Sequence, residues 1–221
     1  MAASSIGRDY GQISPLVVGT GAALAAVAMG LLAWWRRPAT TQKENKSHLR
    51  MMYFGAALHY YILGRYATIA KFAPIPGNLV HHAIEFFLKA ALIEQFEEAA
   101  RRKFRHNLPK LWRRYKRERN NSFLDKFDQT ISDINKFERI RYPEEILRLG
   151  MLAEIDFVRN TFPLPPGQKR PKAARYELAL DEVDELVKLI FQIEGISPPF
   201  YTNSLDVHAK QYLYQQNNFP L

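Results

Sequence analysis

With 221 residues, 47% of them hydrophobic and 24% charged, the chain has the composition of a folded protein and not that of a long disordered one. It contains no cysteine, which excludes disulfides, thiol nucleophiles and thiolate-bound zinc and suits a reducing compartment. A formal net charge of +9 and a pI near 9.7 favour polyanionic partners, either nucleic acid or anionic lipid headgroups.

No charged residue occurs between Gly11 and Trp35. At about 1.5 Å per residue a helix over Ile13 to Trp35 crosses the roughly 30 Å of a bilayer's hydrocarbon, so this segment is expected to be a single transmembrane helix. Trp34 and Trp35 fall at the interface, and Arg36, Arg37, Lys43, Lys46 and Arg50 follow, whereas the preceding tail holds only Arg8, offset by Asp9. The positive-inside rule then puts residues 1–12 outside the cytoplasmic (inner) membrane and the rest of the chain in the cytoplasm. A cleaved signal peptide fits less well, because its apolar core is shorter and its basic flank lies at the other end. Gly19, Ala23, Ala26 and Gly30 share one helical face, where a second copy of the helix has room to approach.

Residues 36–47, polar and rich in Lys and Thr, read as a linker to a helical domain over 48–221. Met51 to Gly64 is apolar but too short for a bilayer crossing and contains His59, so a core helix is expected, with Tyr53, Phe54, Tyr60 and Tyr61 on its buried side. Pro74 and Pro76 end it, and Asn78 is expected to cap the next helix, Leu79 to Lys103. There Ala83, Phe86, Phe87, Ala90 and Ile93 form an apolar stripe, with Glu85 and Lys89 paired on the other side. A basic helix is expected over Leu108 to Arg119, and Phe123, Phe127, Ile131 and Ile134 recur at helical intervals in another. Pro143, Glu144 and Glu145 suit a first helical turn. Residues 162–175 form a Pro-rich basic loop, Asp181 to Glu194 a helix stopped at Gly195, and Leu205 to Gln216 a last short helix. With no sustained alternation or hairpin signal, the expected class is all-α.

Two segments carry a family resemblance. Gly77-Asn78-Leu79-Val80-His81-His82-Ala83-Ile84-Glu85-Phe86-Phe87-Leu88-Lys89-Ala90-Ala91-Leu92 and His106-Asn107-Leu108-Pro109-Lys110-Leu111-Trp112, with Arg141-Tyr142-Pro143 further on, resemble bacterial HEPN-domain proteins over roughly residues 51–150. The resemblance implies a compact helical bundle, often a homodimer, from a superfamily that includes nucleotide-binding domains and metal-independent ribonucleases. It marks Asn78, His81, His82, Glu85, Lys89 and Arg141 as motif positions without assigning them a role. The ribonucleases of that superfamily share an Arg-x4-6-His motif whose His transfers protons while its Arg steadies the phosphate; Arg101 and His106 have that spacing here. His106 also belongs to the His-Asn-Leu element, which in relatives shapes a helix start.

Between Arg101 and Arg119 stand ten cations, among them Arg102, Arg105, Lys110, Arg113, Arg114, Lys116 and Arg117, against the single acid Glu118. Such a run neutralises several phosphates, and Phe104, Trp112 and Tyr115 would stack on bases if exposed; the alternatives are an anionic lipid surface or a solvated helix face with the aromatics in the core. Adjacent residues on a helix point about 100° apart, so His81 and His82 are not expected to share a metal; one should pack in the bundle and the other be partly exposed. No phosphate loop, dinucleotide fingerprint or nucleophile elbow is present, and no cofactor is expected. The expectation is a membrane-tethered helical module contacting RNA or nucleotide, with a dimeric ribonuclease as the alternative.

Overall fold

The computed structural model describes residues 46–95, 106–149, 152–159 and 175–221, all within the compact unit 45–221. The expected membrane span, its tail and nearly all of the linker lie outside the described residues. Among the described residues no helix is long and apolar enough to cross a membrane.

The described part is mostly helical. Helix α1 (Lys46–Ile69) begins inside the expected linker and packs along α2 (Ile75–Ala91) in the most extensive helix–helix contact of the fold. Close approach is possible because Gly64 has no side chain: a Cβ there would meet Val80 Cγ2 at 2.9 Å. Asn78 does not cap α2, contrary to expectation. The helix starts four residues earlier, with Pro76 in its first turn, where a missing N–H costs nothing. It also ends sooner than expected, at Ala91, followed by a short 3-10 turn at Ile93–Gln95.

Helix α3 (Leu108–Arg119) has the bounds expected of it. The Asn107 side chain accepts a hydrogen bond from the Lys110 N–H at 3.0 Å, and Asn120 closes the far end in the left-handed conformation, φ 46°. Leu108, Leu111, Trp112 and Tyr115 are its buried stripe. A 3-10 segment, Ser122–Phe127, precedes α4 (Asp128–Lys136), so the expected helix is shorter and Phe123 points out, 72% exposed. Next come a third 3-10 element (Phe137–Ile140) and α5 (Pro143–Leu149), which begins at the expected proline.

The predominance of helix agrees with the all-α expectation, to which the described residues add one short parallel sheet. Strand β1 (Leu152–Asp156) pairs in parallel with β2 (Arg175–Ala179), in the register Leu152 to Arg175 through Asp156 to Ala179. In β2 the only alternation is Tyr176 and Leu178 inward around Glu177, too short a pattern to stand out in the sequence. From β2 the chain runs directly into α6 (Leu180–Ile193), which buries the expected Val183, Leu186, Val187 and Ile190 and stops before Gly195, φ 62°. The short helices α7 (Pro198–Thr202) and α8 (Val207–Tyr214) close the fold.

One continuous core joins these elements. At its centre Phe54, Phe87 and Phe191, from α1, α2 and α6, form a triangle with ring centroids 5.5–5.9 Å apart. Each such contact adds roughly 0.5–1.5 kcal/mol beyond the area buried.

Candidate functional site

Two groups of side chains stand out: a cationic face on α3 and a histidine–carboxylate cluster where α2 meets the start of α3. Of the cations read from the sequence, Arg101, Arg102, Lys103 and Arg105 lie outside the described residues. Lys110, Arg113, Arg114 and Arg117 recur at helical spacing and line one shallow depression of about 330 Å³. Arg113 and Arg117 are exposed, and Arg114 bridges to Glu118 at 2.7 Å.

The remaining cations of the helix are paired with acids from other segments. Lys116 reaches Asp125 and Asp128, each at 2.8 Å, and these contacts outweigh desolvation and hold its ammonium above its ordinary pKa. Arg119 bonds both oxygens of Glu194, at 2.6 and 2.9 Å, and the Ala91 carbonyl at 2.6 Å. Arg50 adds a third bond to Glu194 at 3.0 Å. Two of the expected stacking surfaces are not available: Trp112 and Tyr115 are 3% and 0% exposed, and the Trp112 indole N–H donates to Asp128 at 2.7 Å, while Phe104 lies outside the described residues. A 12-residue amphipathic helix has to bury its aromatics to dock at all, so α3 presents charge without bases to stack upon it.

In the second group Glu85 corrects the sequence reading. Its pairing with Lys89 is present, but the carboxylate is fully buried and not on the outer side of α2. Lys89 takes Oε1, while Oε2 faces three imidazoles: His106 Nδ1 at 3.0 Å, His82 Nδ1 at 3.7 Å and His81 Nδ1 at 3.9 Å. Burial works to raise the Glu85 carboxyl, but the nearby His82 imidazole and the bonds from Lys89 and His106 prevail and hold it down at about 2. It is therefore a carboxylate at neutral pH.

His81 is wholly buried and His82 partly exposed, as expected of the adjacent pair. Both ring nitrogens of His81 are without a hydrogen-bond partner among the described residues, and burial pushes its pKa down to about 4. Glu138, held by Arg141, stands 3.6 Å from His81 Nδ1. Nothing in the sequence pointed to Glu138, because it enters from the 3-10 turn after α4. Asn78 lies inside α2, its Oδ1 buried and unpartnered among the described residues. His106 is half-exposed at the mouth of the cluster, and its expected partner Arg101 lies outside the described residues.

The chain matches no family model, no curated protein and no solved structure.

Proposed function

We propose that the chain is a membrane-tethered, HEPN-like helical module that binds phosphate-rich polyanions, RNA foremost, through the outer face of α3. One observation carries this reading: Lys110, Arg113, Arg114 and Arg117 line a single depression, with Arg113 and Arg117 turned to solvent. Cations spaced along one helix face can follow a phosphate backbone, and each such pairing releases condensed counterions. With its aromatics buried, the helix offers affinity without base stacking, so weak sequence preference is expected.

The test uses the full chain in detergent micelles with a labelled single-stranded RNA, set beside anionic vesicles. The triple variant Arg113→Gln, Arg114→Gln, Arg117→Gln should bind RNA more weakly and with a salt slope shallower by about 0.7 for each phosphate it no longer neutralises. Equal affinity in the variant, or no RNA binding by the wild type at low salt, overturns the reading. Binding to vesicles but not RNA assigns the face to lipid instead.

A second reading, a ribonuclease active as a dimer, is favoured by the seat of His106. A half-exposed imidazole whose Nδ1 rests on a buried carboxylate keeps Nε2 for proton transfer, the arrangement of a carboxylate-oriented general base. RNA cleavage by the full chain that disappears in His106→Ala, with binding intact, would favour it.

A further inference from the structure

We infer that His81, His82 and Glu85 form a binding site for a transition-metal ion of the Zn2+ class, independent of any role for α3. One ligand atom from each of the three lies within 4.8 Å of the others. A tetrahedral zinc ion with ligands at about 2.0–2.2 Å sets those ligands roughly 3.3–3.5 Å apart. Glu85 Oε2 stands 3.7 Å from His82 Nδ1 and 3.9 Å from His81 Nδ1, a few tenths of an ångström beyond that spacing, and no separation in the triad exceeds 4.8 Å, so binding requires the two imidazoles to draw together about the ion. The roughly 100° divergence of neighbouring residues on a helix does not prevent this, because the atoms that converge are Nδ1. Nδ1 sits nearer the backbone than Nε2, and Glu85, at i+4 and i+3, closes the triangle from the next turn.

His81 is the independent observation. Its side chain is fully enclosed, yet neither ring nitrogen has a hydrogen-bond partner among the described residues. An unpaired buried polar group costs about 1–3 kcal/mol, and a metal at the cluster would satisfy Nδ1. Hydrogen bonding within the cluster does not do so, since among the described residues only His106 comes within bonding distance of Oε2. Lys89 occupies Oε1 and leaves Oε2 for the ion, and Glu138, itself held by Arg141, faces the same His81 Nδ1 at 3.6 Å. The half-exposed His106, 3.0 Å from the same oxygen, stands at the entrance, where a fourth ligand would approach. Two imidazoles and one carboxylate suit Zn2+ or Co2+ over Mg2+ or Ca2+, which prefer oxygen.

The full chain, stripped with a chelator in detergent, is titrated with Co2+ and followed by visible absorption, then displaced with Zn2+. One Co2+ per chain with d–d bands is expected, together with a Zn2+-dependent rise in melting temperature. His82→Ala should weaken binding by roughly tenfold or more with an unchanged circular dichroism spectrum, whereas His208→Ala, an exposed histidine far along the chain, should change nothing. Absence of stoichiometric binding, or wild-type affinity in His82→Ala, overturns the site. Should His82→Ala fail to fold, wild-type chain modified with diethyl pyrocarbonate decides: Zn2+ must protect His82 and not His208, and equal modification of His82 with and without Zn2+ refutes the proposal.

Discussion

Arg65 and Asp184 form an ion pair closed to solvent on both sides, with side-chain exposures of 0% and 1%. It joins α1 to α6 through the middle of the bundle. Tyr61 donates to the other carboxylate oxygen at 2.6 Å, and the Arg65 guanidinium also donates to the main-chain carbonyls of Tyr212, at 2.9 Å, and Gln215. One buried arginine thus fixes the C-terminal end of α8 as well.

Arg65→Met should destabilise the domain by about 3–5 kcal/mol, because it leaves the Asp184 carboxylate buried without its partner. Removing both charges, in Arg65→Met with Asp184→Leu, should recover part of that stability, since apolar replacement of a buried pair is often close to neutral. Urea unfolding followed by circular dichroism measures both. A double variant less stable than the single one would show that the Tyr61 bond to Asp184 outweighs the relief gained by removing the unpaired carboxylate.

A second arginine network makes stability depend on acid. Arg159 bonds Glu182 at 2.7 Å and Asp133 at 2.8 Å. The Arg159 bond is the largest influence on Glu182 and lowers its carboxyl; at Asp133 burial acts upward, but bonds from Lys136, Gln129 and Arg159 hold the group below its ordinary value. A carboxyl whose folded pKa is depressed stabilises the protein above its unfolded value and loses that contribution as pH falls through the folded value. Melting temperature should therefore fall below about pH 4.5, the ordinary range of these carboxyls. Arg159→Gln should lower the plateau near neutrality and flatten the acid limb. An acid limb equally steep in the variant would assign the effect to other carboxylates.

Gly77 touches the face of Phe137, and an added Cβ would overlap the ring. Phe137 is fully buried against Tyr176, their centroids 5.7 Å apart, so it has little room to withdraw. Gly77→Ala should cost about 1–3 kcal/mol through overpacking. Gly64→Ala meets a single Val80 methyl and should cost less, in part offset by alanine's better helix propensity. The reverse order in thermal melts would mean that the turn carrying Phe137 yields more readily than the packing between α1 and α2.

What the sequence revealed and what it concealed divide along local and distant interactions. The bounds of α3 were legible because Asn107 and Asn120 act within one turn of the residues they cap. The pairing of Lys116 and Arg119 was not, because Asp125, Asp128 and Glu194 are brought up only by folding. An i,i+4 pair with lysine gives Glu85 the look of a surface residue of α2; its burial depends on His106, far along the chain, which closes over it with a 3.0 Å contact. The parallel strands leave little trace, since each is short and their pairing needs the long connection 157–174.

For the apolar segment 13–35 the expected outcome follows from flanking charge. The chain has no native cysteine, so Ser4→Cys and Thr41→Cys each carry a unique label site. In intact cells an impermeant maleimide should reach Ser4→Cys and spare Thr41→Cys until the membrane is opened. Labelling of Thr41→Cys alone from outside would reverse the orientation, and labelling of neither or both would remove the span.

The cations of α3 should separate into two kinds. Arg113 and Arg117 project to solvent, and exposed cations contribute little net stability, so their replacement by Gln should leave the unfolding free energy within about 0.5 kcal/mol of wild type while weakening polyanion binding. Arg119 bonds Glu194, whose side chain is 3% exposed, and the carbonyl that ends α2. The Glu194 bonds, first among the influences on it, outweigh desolvation and hold its pKa above the ordinary value. Arg119→Met keeps the apolar stem but removes these charge-assisted bonds, leaving Arg50 as the remaining cation on Glu194, and should cost about 2 kcal/mol. Its effect on RNA affinity should be smaller than that of Arg113→Gln, although each substitution removes one positive charge from the same helix. Equal reductions in affinity would mean that the polyanion senses the net charge of the domain and not the outer face of α3, and that the depression between Lys110 and Arg117 is no binding site.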